Sequence, residues 1–170
     1  PLRIFEPRYL DLVRECGRQG SGFGVCLILD GQEVGVPAMP AALGAWFARP
    51  QARCVAVMGD GSFGFTAGEL ETVLRAGAPL LLVVLSNASY GWIKASQRAS
   101  YGQRYFSVDF RPTDHAAIAR AWGMASWRVE DPRELDGVLQ QALRHDGPAL
   151  VDIVTQPLEL AAAPVSQWMG

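Results

Sequence analysis

Lysine is nearly missing from this chain. Lys94 is the only one among 170 residues, and arginine supplies the rest of the fifteen basic groups. Seventeen acidic residues bring the formal net charge to −2, so the basic excess or stripe that marks a nucleic-acid binder is not there. Cysteine is sparse as well. Cys16, Cys26 and Cys54 are odd in number, widely spaced and without a CxxC pair. That argues against a disulfide scaffold or a zinc site and fits a reduced, cytoplasmic setting. No apolar run nears the ~18 residues of a bilayer span, so no membrane partner is expected. The longest run, 79–85, has the length of a buried strand. Residues 2–9 carry Arg3, Glu6 and Arg8 and do not read as a secretory signal. The first residue is Pro1 and not methionine, which fits a fragment or a trimmed product. Only two histidines occur, His115 and His145, and each is expected on the surface of a helix.

What the chain does have is apolar content. Hydrophobic residues make up 49% and charged residues 19%, with mean hydropathy +0.10, which excludes a disordered or collagen-like polymer. Two regions differ in character and meet around residues 36–45. In the first, 7–15 reads as a short helix, 25–29 as a strand, and Asp30-Gly31 as a hairpin turn before 32–34. One helix and one hairpin are too little to bury a core alone. The second region alternates strand and helix. Residues 40–47 look helical and 54–58 read as an apolar strand. After the turn Gly59-Asp60-Gly61, Thr66 is expected to cap a helix, with Glu69 completing a capping box. Leu70, Val73 and Leu74 form that helix's buried stripe, and Gly77 with Pro79 stops it. The spacing predicts a strand over 80–86, helices over 91–98 and 113–122, and a strand over 125–129. Asp131 caps a further helix whose stripe is Leu135, Val138, Leu139, Ala142 and Leu143, and 149–154 is the last strand. The fold class this implies is α/β, a parallel sheet with helices on both faces.

In an open parallel sheet, ligands lie beyond the carboxyl ends of the strands. Two such ends carry unusual residues: Gly59-Asp60-Gly61-Ser62 and Asn87-Ala88-Ser89-Tyr90-Gly91. Residues 59–64 match the dinucleotide pattern G-x-G-x-x-G, after a strand and before a helix. Electrostatics opposes that reading, because Asp60 would face the pyrophosphate, and two anions ~4 Å apart repel by ~4 kcal/mol at an effective dielectric near 20. The next strand also ends in Ser86-Asn87 and not in the acidic residue that binds a ribose hydroxyl. A divalent cation reverses the sign. Asp60 and a diphosphate can share one Mg2+, which takes about six oxygens. Asp60, the Asn87 side-chain carbonyl, and the carbonyl or hydroxyl of Ser89 are the candidate protein ligands. Gly59 and Gly61 let the backbone turn close to phosphates, and amides near Gly61 and Ser62 can donate to them. The plainer alternative is a βα turn at 59–61 with Asn87 as a helix cap.

Twenty-five residues separate Gly61 from Asn87. This resembles the thiamine diphosphate enzyme motif of G-D-G, some 24 to 27 residues, then Asn. The surroundings resemble the acetolactate synthase-like branch of that family: Pro40-Ala41-Ala42-Leu43-Gly44, Ala48-Arg49-Pro50, Glu69-Leu70-Glu71-Thr72, Tyr90-Gly91 with Ile93 and Gln97, and Gly147-Pro148-Ala149-Leu150-Val151-Asp152. The likeness covers 40–170 and implies the C-terminal, diphosphate-binding domain. It implies thiamine diphosphate and Mg2+ as cofactors, held at Gly59, Asp60, Gly61, Ser62, Asn87, Ser89, Tyr90 and Gly91, with Asp60, Asn87 and Ser89 on the metal. The reaction it implies is lyase or transferase chemistry on a small 2-keto acid, cleaved beside its carbonyl with the thiazolium ylid as nucleophile and electron sink. Homodimers or tetramers are the family's assemblies. The family's pyrimidine-binding domain, which brings a glutamate to the cofactor across a subunit interface, has no counterpart in these residues. Val34-Gly35-Val36-Pro37 stands where the family has a G-x-M-G-like stretch. The chain alone is therefore expected to bind cofactor without turnover, and no catalytic residue is assigned.

The upstream residues Pro1 to Leu10, with Phe23-Gly24-Val25 and Gly31-Gln32-Glu33-Val34-Gly35, resemble a fragment of the amino-terminal substrate-binding domain of Lon-type proteases. The expected organisation is therefore a Lon-like fragment over 1–39 and a thiamine diphosphate-binding domain over 40–170. A Lon-type binding module with no catalytic activity is the alternative function. Trp92, Trp122, Trp127 and Trp168 are expected to pack in a core or interface. Lys94 and Arg98 stand either on a solvated face or toward an anionic substrate, and Gln97 either at the site or in helix packing.

Overall fold

The computed structural model of the chain describes residues 38–157. The helix expected over 7–15, the hairpin at 25–34, the Lon-like residues up to 37, and Trp168 lie outside them. The described elements are α1 (Ala38–Ala48), β1 (Val55–Gly59), α2 (Asp60–Thr66), α3 (Leu70–Ala76), β2 (Leu81–Ser86), α4 (Gly91–Ser100), α5 (His115–Ala121), β3 (Ala125–Val129), α6 (Leu135–Arg144) and β4 (Ala149–Val154). Short 3-10 turns, Ala67–Glu69 and Pro132–Glu134, lead into α3 and α6.

The four strands form one fully parallel sheet in the order β1-β2-β4-β3. Side-chain alternation sends Ala56, Met58, Leu82, Val84 and Leu150 to one face, where Met39, Phe63, Leu70, Val73, Ala116 and Ala119 from α1, α2, α3 and α5 cover them. Leu81, Val83, Val129, Ala149 and Val151 point to the other face and meet Leu135, Val138, Leu139 and Ala142 of α6. The central strands are thus apolar throughout because both their faces are covered. The cover over the second face is uneven: α6 packs on β3 and β4, and Val57 of β1 is 45% exposed.

Several local expectations change. Asp60 is already the first residue of α2, directly after β1, so no separate turn intervenes. The capping box does not form. Thr66 is the last residue of α2, and its hydroxyl donates back to the Ser62 carbonyl at 3.3 Å, the local bond that threonine makes inside a helix. Glu69 instead accepts from the Thr72 hydroxyl. Gly77 ends α3 in the left-handed conformation, φ +64°, as the sequence predicts. Asp131 accepts from the Arg133 amide as expected of a cap, here at the head of the 3-10 turn. Leu143 falls off the α6 stripe and is half exposed. His145 caps the end of α6 and is exposed, but His115 is buried, contrary to expectation, because its ring faces the sheet beside Phe63.

Candidate functional site

Because β1 and β2 are parallel neighbours with Gly59 level with Leu85, both strands end at the same edge of the sheet. Asp60 and Asn87 therefore meet although they lie 27 positions apart in sequence. Asp60 is buried, and backbone amides surround its carboxylate. Oδ1 accepts from the Gly61 N–H at 2.9 Å, and Oδ2 accepts from the N–H groups of Asn87 at 2.9 Å and Ala88 at 2.7 Å. Ala88 sits at φ +56°, a conformation that costs a residue with a Cβ roughly 1–2 kcal/mol.

Asn87 turns its side-chain carbonyl to Ser89, accepting from the Ser89 N–H at 3.1 Å and its hydroxyl at 3.2 Å. Ser89 forms a single antiparallel bridge with Asp109. The bridge is made by the flanking residues: Tyr90 N–H donates to the Val108 carbonyl at 2.8 Å and Phe110 N–H to the Ala88 carbonyl at 3.0 Å. In that pattern the polar groups of the central residue face away from the partner segment. The Ser89 carbonyl is therefore on the side away from Asp109, as is the N–H that meets Asn87.

The other expected site residues frame this pair. Gly59, exposed, is the extended residue that precedes α2, and Ser62 is half-buried in its first turn. Gly61 is required by Tyr90: a Cβ on Gly61 would lie 2.5 Å from Tyr90 Cε1 and 2.8 Å from Cδ1. The Tyr90 ring stacks on Phe65 and meets Phe110 edge-on, which locks the turn between β2 and α4 onto α2. Gly91 opens α4. Gln97 ties α4 to the following loop, since its side-chain amide both donates to the Phe106 carbonyl and accepts from the Phe106 N–H. Lys94 pairs with Asp109 at 2.8 Å and lies over the Tyr105 ring. Arg98 is in the last turn of α4. Trp92 and Trp122 are about half exposed, whereas Trp127 packs in the second-face core.

One group of residues was not anticipated. Asp152, fully buried in β4, accepts from the Ser86 hydroxyl, the His115 N–H at 3.0 Å and Arg128 Nη1 at 2.6 Å. Burial pushes its carboxyl up, but the hydrogen bonds from His115 and Ser86 prevail and hold it below the ordinary carboxylate range. Arg128, also bonded to Glu130 at 2.8 Å, is held above its usual range by Glu130 and Asp152. The clue in the sequence was a lone aspartate inside an apolar strand, which must find partners when buried.

The oxygens gathered at the strand ends suit Mg2+. All are hard donors: one carboxylate, one side-chain amide and one backbone carbonyl. Oδ1 of Asp60 accepts a single bond and keeps a second acceptor direction. Asp60 supplies the one carboxylate of this set, so a metal held by it would retain positive charge for an anionic ligand. That is the electrostatic requirement of a cation shared with a diphosphate.

Residues 37–153 match the family described as "Thiamine pyrophosphate enzyme, C-terminal TPP binding domain". The chain belongs to that family. Among curated relatives, this TPP-binding domain is 36% identical over 127 residues to "Acetolactate synthase, catabolic" of Raoultella terrigena, covering 75% of this chain and 22% of the relative. It is 38% identical over 122 residues to "Acetolactate synthase" of Bacillus subtilis (strain 168), covering 72% and 21%. Over 115 residues it is 32% identical to "Acetolactate synthase catalytic subunit, mitochondrial" of Saccharomyces cerevisiae, covering 68% and 17%. The chain thus spans about a fifth of the length of the relatives it matches. No described helix is long and apolar enough to cross a membrane.

Proposed function

We propose that this TPP-binding domain holds the diphosphate of thiamine diphosphate (thiamine pyrophosphate) through Mg2+ and serves a 2-keto acid lyase or carboligase of the acetolactate synthase type. The observation that carries the reading is the meeting of Asp60 and Asn87 at one sheet edge, with Ser89 completing a set of hard oxygens. In this reading Asp60 Oδ1, Asn87 Oδ1 and the Ser89 carbonyl are the protein's metal ligands. Ser89's hydroxyl can rotate, so its bond to Asn87 Oδ1 would not bar that oxygen from a metal. Ser62 and the backbone of Gly59 and Gly61 border the phosphates, and Tyr90 and Gly91 fix the turn that carries the ligands. Thiamine diphosphate, when bound, supplies the carbon nucleophile and electron sink for breaking the bond beside a keto-acid carbonyl. The chain's own contribution is to bind and orient.

The substrate proposed is a small 2-keto acid, and the working form a dimer or tetramer. Exposed Phe65, Trp92 and Phe106 on and beside α4 support an assembly surface close to the site. The proposed setting is the cytoplasm, where thiols stay reduced. The domain boundary is proposed near residue 40, with 1–39 a separate segment of Lon-like character. Titration calorimetry of thiamine diphosphate into the chain, with Mg2+ and then with EDTA, tests the central point. Binding is expected only with the metal, and equal affinity in both conditions rejects the metal bridge.

A further inference from the structure

The buried cluster of Ser86, His115 and Asp152, joined from its rim by Arg128, contributes no ligand, yet it ends one residue short of Asn87. Ser86 is the last residue of β2, and its hydroxyl has one proton to give. That proton goes to Asp152 Oδ1, so the hydroxyl oxygen is left to accept from His115 Nδ1, 2.9 Å away, which must carry a hydrogen. The Asp152 carboxylate is fixed in turn by the His115 backbone and by Arg128, which also donates to the Thr113 carbonyl at 3.0 Å. On the main chain, the Ser86 carbonyl accepts from Thr155 N–H at 2.8 Å and from its hydroxyl at 3.3 Å. The other end of the same peptide unit, the Asn87 N–H, is bound to Asp60. The peptide from which Asn87 projects is held at both ends, and the side chain before it is held in a satisfied buried network. Such a network orients a metal ligand without touching the metal.

We propose that Ser86, His115 and Asp152 are positioning residues for Asn87, fixing the end of β2 so that the Asn87 side-chain oxygen stands ready at the metal site. This rests on the reading of Asn87 as a ligand given above. Two measurements on the full chain test it. In the first, Mn2+ replaces Mg2+, and its affinity in the presence of thiamine diphosphate is followed by electron paramagnetic resonance. In the second, hydrogen exchange at the Asn87 and Ala88 amides is measured without metal. His115→Phe keeps a ring against Phe63 but removes the Nδ1 donor, whereas His115→Asn restores a donor at that place. Ser86→Ala and His115→Phe should each weaken Mn2+ binding about 10- to 100-fold, the usual effect of removing a ligand's support, and speed exchange at both amides. His115→Asn should recover most of both. Folded variants with wild-type Mn2+ affinity and unchanged exchange would overturn the proposal, as would an equal loss in His115→Asn. If Ser86→Ala does not fold, the two His115 variants decide. If the wild-type chain binds no Mn2+ with thiamine diphosphate, the proposed function fails, and the amide exchange still judges the positioning.

Discussion

Asp60 holds Ala88 in a left-handed conformation: its Oδ2 accepts the Ala88 amide at 2.7 Å across 28 residues of sequence, where Ala88 has φ +56°. The same oxygen takes the Asn87 amide, and Oδ1 takes that of Gly61. The carboxylate therefore builds the turn that presents Asn87 and Ser89, quite apart from any cation it binds.

Asp60→Asn should separate these duties poorly, because one carboxylate oxygen becomes an NH2 donor facing backbone donors. We expect a stability loss of about 1–3 kcal/mol in urea unfolding, the cost of an unsatisfied buried group. Metal-dependent cofactor binding should fall by more than tenfold in calorimetry. Wild-type behaviour in both would refute the double role.

Ala88→Gly should stabilise the metal-free protein by about 1 kcal/mol, since glycine adopts a positive φ without the Cβ contact. Chemical denaturation reads this directly. A destabilised variant would mean that the strain at Ala88 is smaller than the entropy glycine adds to the unfolded chain.

Gly61→Ala should cost about 1–3 kcal/mol through overpacking against Tyr90. In a Tyr90→Ala background the same substitution should cost less than about 0.5 kcal/mol, so a double-mutant cycle isolates the contact. Equal penalties in both backgrounds would show that the ring is not the obstacle.

Asp152 predicts an acid limb to the stability curve. Its carboxyl titrates below the ordinary carboxylate range in the folded state, so its contribution is full above the unfolded value. It fades as pH falls below about 4 through the folded value. Asp152→Asn should lose about 3 kcal/mol at neutral pH, at the low end for a buried pair because Arg128 is partly solvated and keeps Glu130. The gap to wild type should narrow at pH 3, and a gap independent of pH would contradict the assignment.

The part proposed for this chain is to bind and orient the cofactor, so by itself it should release no carbon dioxide from pyruvate. A coupled decarboxylase assay with Mg2+ and thiamine diphosphate checks this. Sustained turnover would require a catalytic group within these 170 residues.

The strand–helix alternation was readable because its signals are local: the run of Leu and Val at 81–85, the helix stripe at 135–142, Gly77 after α3. So was the meeting of Asp60 with Asn87, since G-D-G and Asn87 each stand at a strand end. What sequence did not yield depends on contacts distant along the chain. The Thr66 box failed because the chain is already helical before Thr66, and a pattern of four residues cannot report that. His115 looked like a surface residue because its partners, Ser86 and Asp152, lie 29 and 37 residues away. Tyr90's hold on Gly61 likewise has no sequence pattern of its own.

The level ending of β1 and β2 makes the meeting of Asp60 and Asn87 depend on the register of β2. A slip of one residue in β2 has no outlet in the short connection from α3, where Ala78 and Leu80 are fully buried. It would carry Asn87 about 3.3 Å along the strand, away from Asp60, and turn the Ser86 hydroxyl from the His115 face to the α6 face. The apolar alternation that seats Leu82 and Val84 against one layer and Leu81 and Val83 against the other is therefore also the gauge that sets the spacing of Asp60 and Asn87.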